Sequence, residues 1–189
     1  MKITSATFVR GLVGPCDLLH DETPQVAFIG RSNAGKSSLL NTLTNQKKLA
    51  ITSKTPGRTK EINVFLVNKT HYFMDLPGYG YAKASNTDRE KLGDLILWYL
   101  FESETDPIVV MLVDSIVGPT EADVAILEEL ENAGKKIIIV ANKVDKIKKS
   151  HYLKHIKQLE QQFRGHIFIP FSSKTKVGVA ELTEAVLEV

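Results

Sequence analysis

Val26-Ala27-Phe28-Ile29, then Gly30-Arg31-Ser32-Asn33-Ala34-Gly35-Lys36-Ser37, then Ser38-Leu39-Leu40-Asn41-Thr42-Leu43 reads as a strand, a glycine-bounded loop and a helix. The loop matches G-x4-G-K-[ST] in the strand–loop–helix setting that gives this motif its meaning. Gly30 and Gly35 let the backbone curl so that successive N–H groups face a polyphosphate. Lys36 would neutralise β- and γ-phosphate oxygens, and the Ser37 hydroxyl would ligate Mg²⁺. An ordinary glycine turn before a helix is the plainer alternative, and the flanking strand and helix argue against it. The loop alone does not choose between a kinase, an ATPase and a GTPase.

Downstream, β-branched apolar runs alternate with helical patterns. Ile62 to Val67 and His71 to Met74 flank Asn68-Lys69-Thr70 and predict a hairpin. Ile108 to Val113, Lys136 to Ala141 and Ile167 to Pro170 predict strands, the first two apolar enough to be buried on both faces of a parallel sheet. Helices are expected over Asp88 to Phe101, Thr120 to Ala133, Lys149 to Phe163 and Val179 to Leu187. Thr120 is placed to cap the second of these and Gly134 to stop it. The expected fold class is α/β, three layers, with a mostly parallel sheet and one antiparallel hairpin strand. Residues 25–189 are expected to form a single domain, with residues 1–24 as an N-terminal arm packed on it.

Three further segments fall where an open α/β sheet binds ligands, at the carboxyl ends of strands. After Ile137 to Ala141 comes Asn142-Lys143-Val144-Asp145. The Asp145 carboxylate can accept from guanine N1–H and its exocyclic amine, whereas adenine would leave it unpaired, a difference of about 10⁴-fold or more. Asn142 would hold neighbouring loops and contact the base, with the Lys143 stem along the base face. Phe171-Ser172-Ser173 follows the last strand, where backbone amides would meet the guanine carbonyl. The third segment, His71-Tyr72-Phe73-Met74-Asp75-Leu76-Pro77-Gly78, places an acid at a strand end to hold a Mg²⁺-bound water and the Gly78 N–H near the γ-phosphate. Thr55-Pro56-Gly57-Arg58-Thr59 is loop-like; one of its threonines should complete the Mg²⁺ shell, and spacing alone does not choose between Thr55 and Thr59.

Composition narrows the class. Over 189 residues, 24 Lys+Arg against 22 Asp+Glu leave a formal charge of +2, which excludes a histone-like polyelectrolyte. The single cysteine, Cys16, excludes an intramolecular disulfide framework and a multi-thiolate zinc site. The longest apolar run, Leu95 to Phe101, is far short of a membrane span, and no secretory leader is expected. A monomeric cytoplasmic protein is the expectation. The charge is uneven: Lys143 to Lys157 holds six lysines against Asp145, a local +5, and leaves −3 for the remainder. A solvated lysine-rich face and a phosphate-contacting patch for RNA are both compatible with that run.

Taken in order, these segments resemble the translation-factor-related P-loop GTPases. Gly30 to Asn41, Lys54-Thr55-Pro56-Gly57-Arg58-Thr59 and Asp75-Leu76-Pro77-Gly78-Tyr79-Gly80-Tyr81-Ala82 are similar to the EngB-type (YihA/YsxC) GTPases over nearly the whole chain. The resemblance implies a P-loop GTPase domain that binds GTP/GDP with Mg²⁺, and a role in assembling the large ribosomal subunit, with rRNA contacts and links to cell division. It implies Thr59 as the switch threonine on Mg²⁺, beside Ser37 and, through water, Asp75. It also counts Ser38, Gly57, Arg58, Thr59, Lys60 and Glu61 among the nucleotide contacts, and Lys36, Thr59 and Gly78 as the catalytic group. Where many relatives have Thr-Lys, this chain has Asn142-Lys143; basic extensions often seen at family termini are reduced.

The position that carries a water-orienting glutamine in many GTPases is Tyr79 here, and a phenol cannot supply an amide's donor–acceptor pair. Slow intrinsic hydrolysis is therefore expected. In related GTPases the position of Asn33 helps bind K⁺; an asparagine tolerated in a tight turn is the plainer reading. Thr52 to Asn63 and Gly78 to Asp88 are the expected switches. A nucleotide-gated binding module for division-related proteins is the alternative function, and Asp145 argues against a P-loop kinase.

Overall fold

The computed structural model of the chain describes residues 2–50, 61–80 and 86–188. Among them a seven-stranded sheet runs β1-β3-β4-β2-β5-β6-β7. Its strands are β1 (Ala6–Leu12), β2 (Gln25–Gly30), β3 (Ile62–Val67), β4 (His71–Asp75), β5 (Ile108–Asp114), β6 (Ile137–Asn142) and β7 (Ile167–Phe171). β2 pairs in parallel with β4 and β5, β5 with β6, and β6 with β7. β3 is antiparallel to both β1 and β4, so it alone runs against the rest. The β3–β4 turn uses Asn68 and Lys69, both at positive φ (51° and 60°), as a tight hairpin requires.

The two faces of the sheet are separated by strand periodicity. Val26 and Phe28 of β2, Val110 and Leu112 of β5, and Ile138 and Val140 of β6 join one core, covered by α1 (Lys36–Leu43) and α5 (Val179–Leu187) through Leu39, Leu40, Leu182 and Val186. Ala27, Ile29, Val109, Met111, Ile137 and Ile139 join the other. Over it lie α2 (Asn86–Leu97), α3 (Glu121–Asn132) and the helix α4 (Tyr152–Gln162), contributing Ile96, Leu127, Leu130 and the following Phe163. Strands apolar on both faces are what such a double-sided core demands.

Local signals act as expected at several ends. Thr120 caps α3 by accepting from the Asp123 N–H, while Asp123 accepts from the Thr120 N–H, and Gly134 follows at φ 66°. The helix expected over Asp88 to Phe101 instead ends its α-turns at Leu97 and widens into a π-turn over Trp98–Glu102, where the Ser103 N–H donates to the Trp98 carbonyl at 2.8 Å. Tyr99 and Leu100 are consecutive, large and fully buried, and the Tyr99 hydroxyl donates to Gln25 Oε1 at 2.8 Å. A wider turn lets both side chains reach the core. Ala6–Leu12, a segment with no clear period, is β1 at the sheet edge. Among the described residues no helix is long and apolar enough to cross a membrane.

Candidate functional site

Register gathers the candidate segments. Phe28 lies opposite Asp75, Gly30 opposite Leu112, Asp114 opposite Asn142, and Asn142 opposite Phe171. The carboxyl ends of β4, β2, β5, β6 and β7 therefore share one edge, and neighbours of β2 leave in both directions at that edge, the place where open α/β sheets take ligands.

The loop after β2 is held from three sides. The Ala34 N–H donates to the Arg31 carbonyl at 2.9 Å, and Asn33 (φ 68°) and Gly35 (φ 102°) take left-handed backbone. Gly35 caps α1, and a Cβ there would collide with the Asn142 side-chain amide, so only glycine meets both the dihedral and the space. The Ser32 N–H donates to the Tyr79 carbonyl at 2.9 Å and the Tyr79 N–H to the Gly30 carbonyl at 3.3 Å, which ties the loop to the segment after β4. Lys36 Nζ forms an ion pair with Asp75, a carboxylate only 3% exposed. The first turn of α1 carries no acidic side chain, so its unpaired N–H groups and Lys36 offer one anion-binding concavity. Ser37 and Asp75 are hard oxygen donors of the kind Mg²⁺ prefers. Among the described residues no group of three His, Cys, Asp or Glu gathers.

Three segments meet on the opposite side of the loop. Asn142 Nδ2 donates to the Ala34 carbonyl at 2.8 Å, and Asn142 Oδ1 accepts from the Lys143 N–H at 2.8 Å. Lys143 sits at φ 67° and sends Nζ to the Asn33 carbonyl (2.6 Å) and to Asp114 Oδ2 (2.7 Å). Burial by itself would raise the Asp114 pKa; Lys143 together with the Ile116 and Val117 amides outweighs it and holds the carboxyl below the usual range. Asp145 is exposed, with Oδ1 accepting from the Ser172 hydroxyl at 2.6 Å, and Ser172 Oγ in turn accepts from the Lys174 and Thr175 amides. One carboxylate oxygen is thus held by protein and the group is oriented. Ser173 Oγ is enclosed without a hydrogen-bond partner among the described residues.

Residues 25–143 match the family of 50S ribosome-binding GTPases. A protein of Clostridium kluyveri named "Probable GTP-binding protein EngB" is 42% identical over 184 residues, covering 96% of this chain and 93% of that one. The chain belongs to the EngB family of GTP-binding proteins. A crystal structure of "a probable GTP-binding protein engB" shares 27% identity at a TM-score of 0.71, covering 87% of this chain and 97% of its own. Era in complex with MgGDPNP and nucleotides 1506-1542 of 16S ribosomal RNA gives a TM-score of 0.72 at 26% identity, covering 87% of this chain and 56% of that one. The P-loop GTPase fold of this EngB family member is thereby established, with β1, β3 and β4 forming the antiparallel part of its sheet.

Of the candidates, Gly30 to Ser38, Asp75 to Gly78, Asn142 to Asp145 and Phe171 to Ser173 all stand at the shared edge. Leu76, Pro77, Gly78, Val144 and Phe171 are buried there and set the backbone rather than present side chains. Thr55, Gly57, Arg58, Thr59 and Lys60, with residues 52–60 of the first expected switch and 81–85 of the second, lie outside the described residues. Glu61 packs its carboxylate over Gly11 of β1, whose partner Asn63 pairs in turn with Asp75. Asn33 takes the left-handed backbone (φ 68°) that asparagine tolerates. Sequence reasoning does not single out Asp114, although an acid closing an apolar strand is the same signal that marks Asp75. Nor does it find the partner of Tyr79: the phenol donates to Asp123 Oδ1 at 2.7 Å, and burial and the Asp123 charge push its pKa far upward.

Proposed function

We propose that this EngB family member is a GTP-hydrolysing switch, cytoplasmic and monomeric, that acts in assembly of the large ribosomal subunit, with the link to cell division that its family resemblance implies. One observation carries the nucleotide reading: Asn142 and Lys143 bond directly to Ala34 and Asn33, so the segment suited to a guanine base and the loop suited to phosphates are one structure. In this reading, Gly30 to Ser38 cradle the α- and β-phosphates through backbone amides, and Lys36 exchanges Asp75 for phosphate oxygens. Asp145, pre-oriented by Ser172, accepts from guanine N1–H and the exocyclic amine, and Ser173 supplies a hydroxyl and an amide near the base. Ser37, Asp75 through water, and Thr59 would hold Mg²⁺, whose chemistry is to neutralise charge on the β- and γ-phosphate oxygens. The Gly78 amide then meets the γ-phosphate.

Slow hydrolysis follows from Tyr79. Its proton is spent on Asp123 and it stays a neutral phenol, so it has no donor left for a water and does not deprotonate one. An external partner would complete the site. Ribosome binding rests on the family match and on the likeness to Era, which was crystallised with rRNA. Competition binding with GTP, GDP and ATP tests the base reading; equal affinity for ATP would refute it. Gradient fractionation with a GTP analogue tests the ribosome reading, with migration beside the large subunit expected. Migration with division proteins alone would favour the alternative of a nucleotide-gated binding module.

A further inference from the structure

We propose that the lysine face of α4, with the turns leading into it, is a docking surface for the phosphate backbone of structured RNA. The proposal rests on the ribosomal reading above and names the surface involved. Lys146, Lys148, Lys149, Lys154 and Lys157 are all exposed, and among the described residues none of them is ion-paired. From Lys146 to Gln162 the single carboxylate is Glu160, in the last turn of the helix. Lys154 and Lys157 lie three residues apart on α4, about 4.5 Å along its axis at 1.5 Å per residue; Leu153 stands 82% exposed beside them, and Lys149 lies in the turn that leads into the helix. Unpaired cations held in that way repel one another, and a polyanion removes the repulsion while releasing its own counterions.

The surface is rigid and bounded. Leu159 and Phe163 bury the inner side of α4, and His155 Nε2 lies 2.6 Å from the Ser115 carbonyl at the end of β5. On the neighbouring α3, Glu121, Glu128 and Glu129 are exposed, and Glu131 meets His166, beyond α4, at 2.6 Å. An approaching polyanion is thus repelled from α3 and guided to α4. The exposed α4 face offers one apolar side chain and no aromatic, which suits a charged, shape-read helix of RNA better than a lipid surface or unstacked bases. The strand spacing of about 4.8 Å puts the end of β6, from which these lysines follow, about 14 Å from Asp75 across β4-β2-β5-β6. Contact here should therefore be nearly the same with GDP or GTP bound, leaving nucleotide dependence to the other side of the site.

The test compares the full chain with a Lys149→Gln/Lys154→Gln/Lys157→Gln variant. Probes are a 24-base-pair RNA duplex and purified large ribosomal subunits, each titrated at several KCl concentrations with GDP and with a non-hydrolysable GTP analogue. Expected is a steep salt dependence for the natural chain, within about threefold for the two nucleotides. The variant should bind RNA at least tenfold more weakly, with a log–log salt slope lower by about two to three, at about 0.7–0.9 per lost phosphate contact. Guanine nucleotide affinity and melting temperature serve as folding controls and should not change. Equal RNA and subunit binding by both chains would overturn the surface while leaving ribosome binding intact. Duplex binding that the variant loses, without subunit binding by either chain, would uphold the surface and refute the ribosomal reading. Tighter binding to phosphatidylglycerol vesicles or to poly-glutamate than to RNA would overturn the proposal.

Discussion

The two sides of the phosphate loop are built differently. On the β6–β7 side, Asn142, Lys143 and Asp114 bind one another and the loop in one connected set, and Ser172 holds Asp145 in a second. On the β4 side, one lysine faces one buried carboxylate, and the backbone of Tyr79 is stitched to Gly30 and Ser32. In the proposed function, the first side reads the base, which does not change during hydrolysis, and is assembled in advance. The second reads the γ-phosphate, which does change, and its lysine has to trade one anion for another. Pre-organisation is useful where the ligand is constant, because the ordering cost is met in folding rather than in binding.

The largest expected effect breaks the base side at its recognition group. Asp145→Asn should lower GTP affinity by about 10³-fold or more and raise that for xanthosine nucleotides, because the amide donates where guanine also donates. Nucleotide competition reads this directly, and unchanged GTP affinity would remove the base assignment. Next is Asn142→Ala, which leaves the Ala34 carbonyl and the Lys143 amide without their partner. A cost of about 1–3 kcal/mol corresponds to a loss of about 5- to 150-fold in nucleotide affinity by titration.

Tyr79→Phe sharpens the contrast on the other side. The hydroxyl is bonded to buried Asp123, whose other oxygen keeps both Thr120 bonds, so about 1.5–3 kcal/mol of stability should be lost in denaturant melts. GTP affinity and single-turnover hydrolysis should stay within about twofold. A hundredfold fall in hydrolysis would show that the phenol acts on the water after all.

The smallest effect is a pH dependence. Asp114 has a folded pKa below its ordinary value, so its contribution is fully present above the unfolded pKa and is lost as pH falls through the folded one. Stability measured from neutral pH downward should therefore show no Asp114 step until the pH is below the usual carboxylate range. Asp114→Asn should reduce the acid sensitivity while weakening the hold on Lys143. A step near pH 6 in the natural chain that this variant abolishes would contradict the assignment.

Much of this was legible in the chain itself. The alternation of apolar runs and the Thr120 cap are local, and short-range sterics and hydrogen bonding decide them wherever the chain goes. So are the glycines of the loop and the strand-end position of Asp75. The pattern Gly30 to Ser37 and the Asn142 to Asp145 segment name their own chemistry because each is a contiguous set of groups. What local sequence could not supply was β1, whose segment lacks a clean period and becomes a strand by pairing with β3. Neither could it supply the π-turn at Trp98, which follows from seating Tyr99 and Leu100 together in the core.

The partnerships between distant residues belong to the tertiary structure alone. Asn142 with Ala34, Lys143 with Asp114, Ser172 with Asp145 and Tyr79 with Asp123 join residues 27 to 108 positions apart. No periodicity encodes such pairs; sheet register brings them within reach, and register is a property of strands packed on one another. The sequence by itself therefore determined which groups this protein carries and on which elements. Only the folded chain decided which of them are already engaged, and so which remain for a ligand.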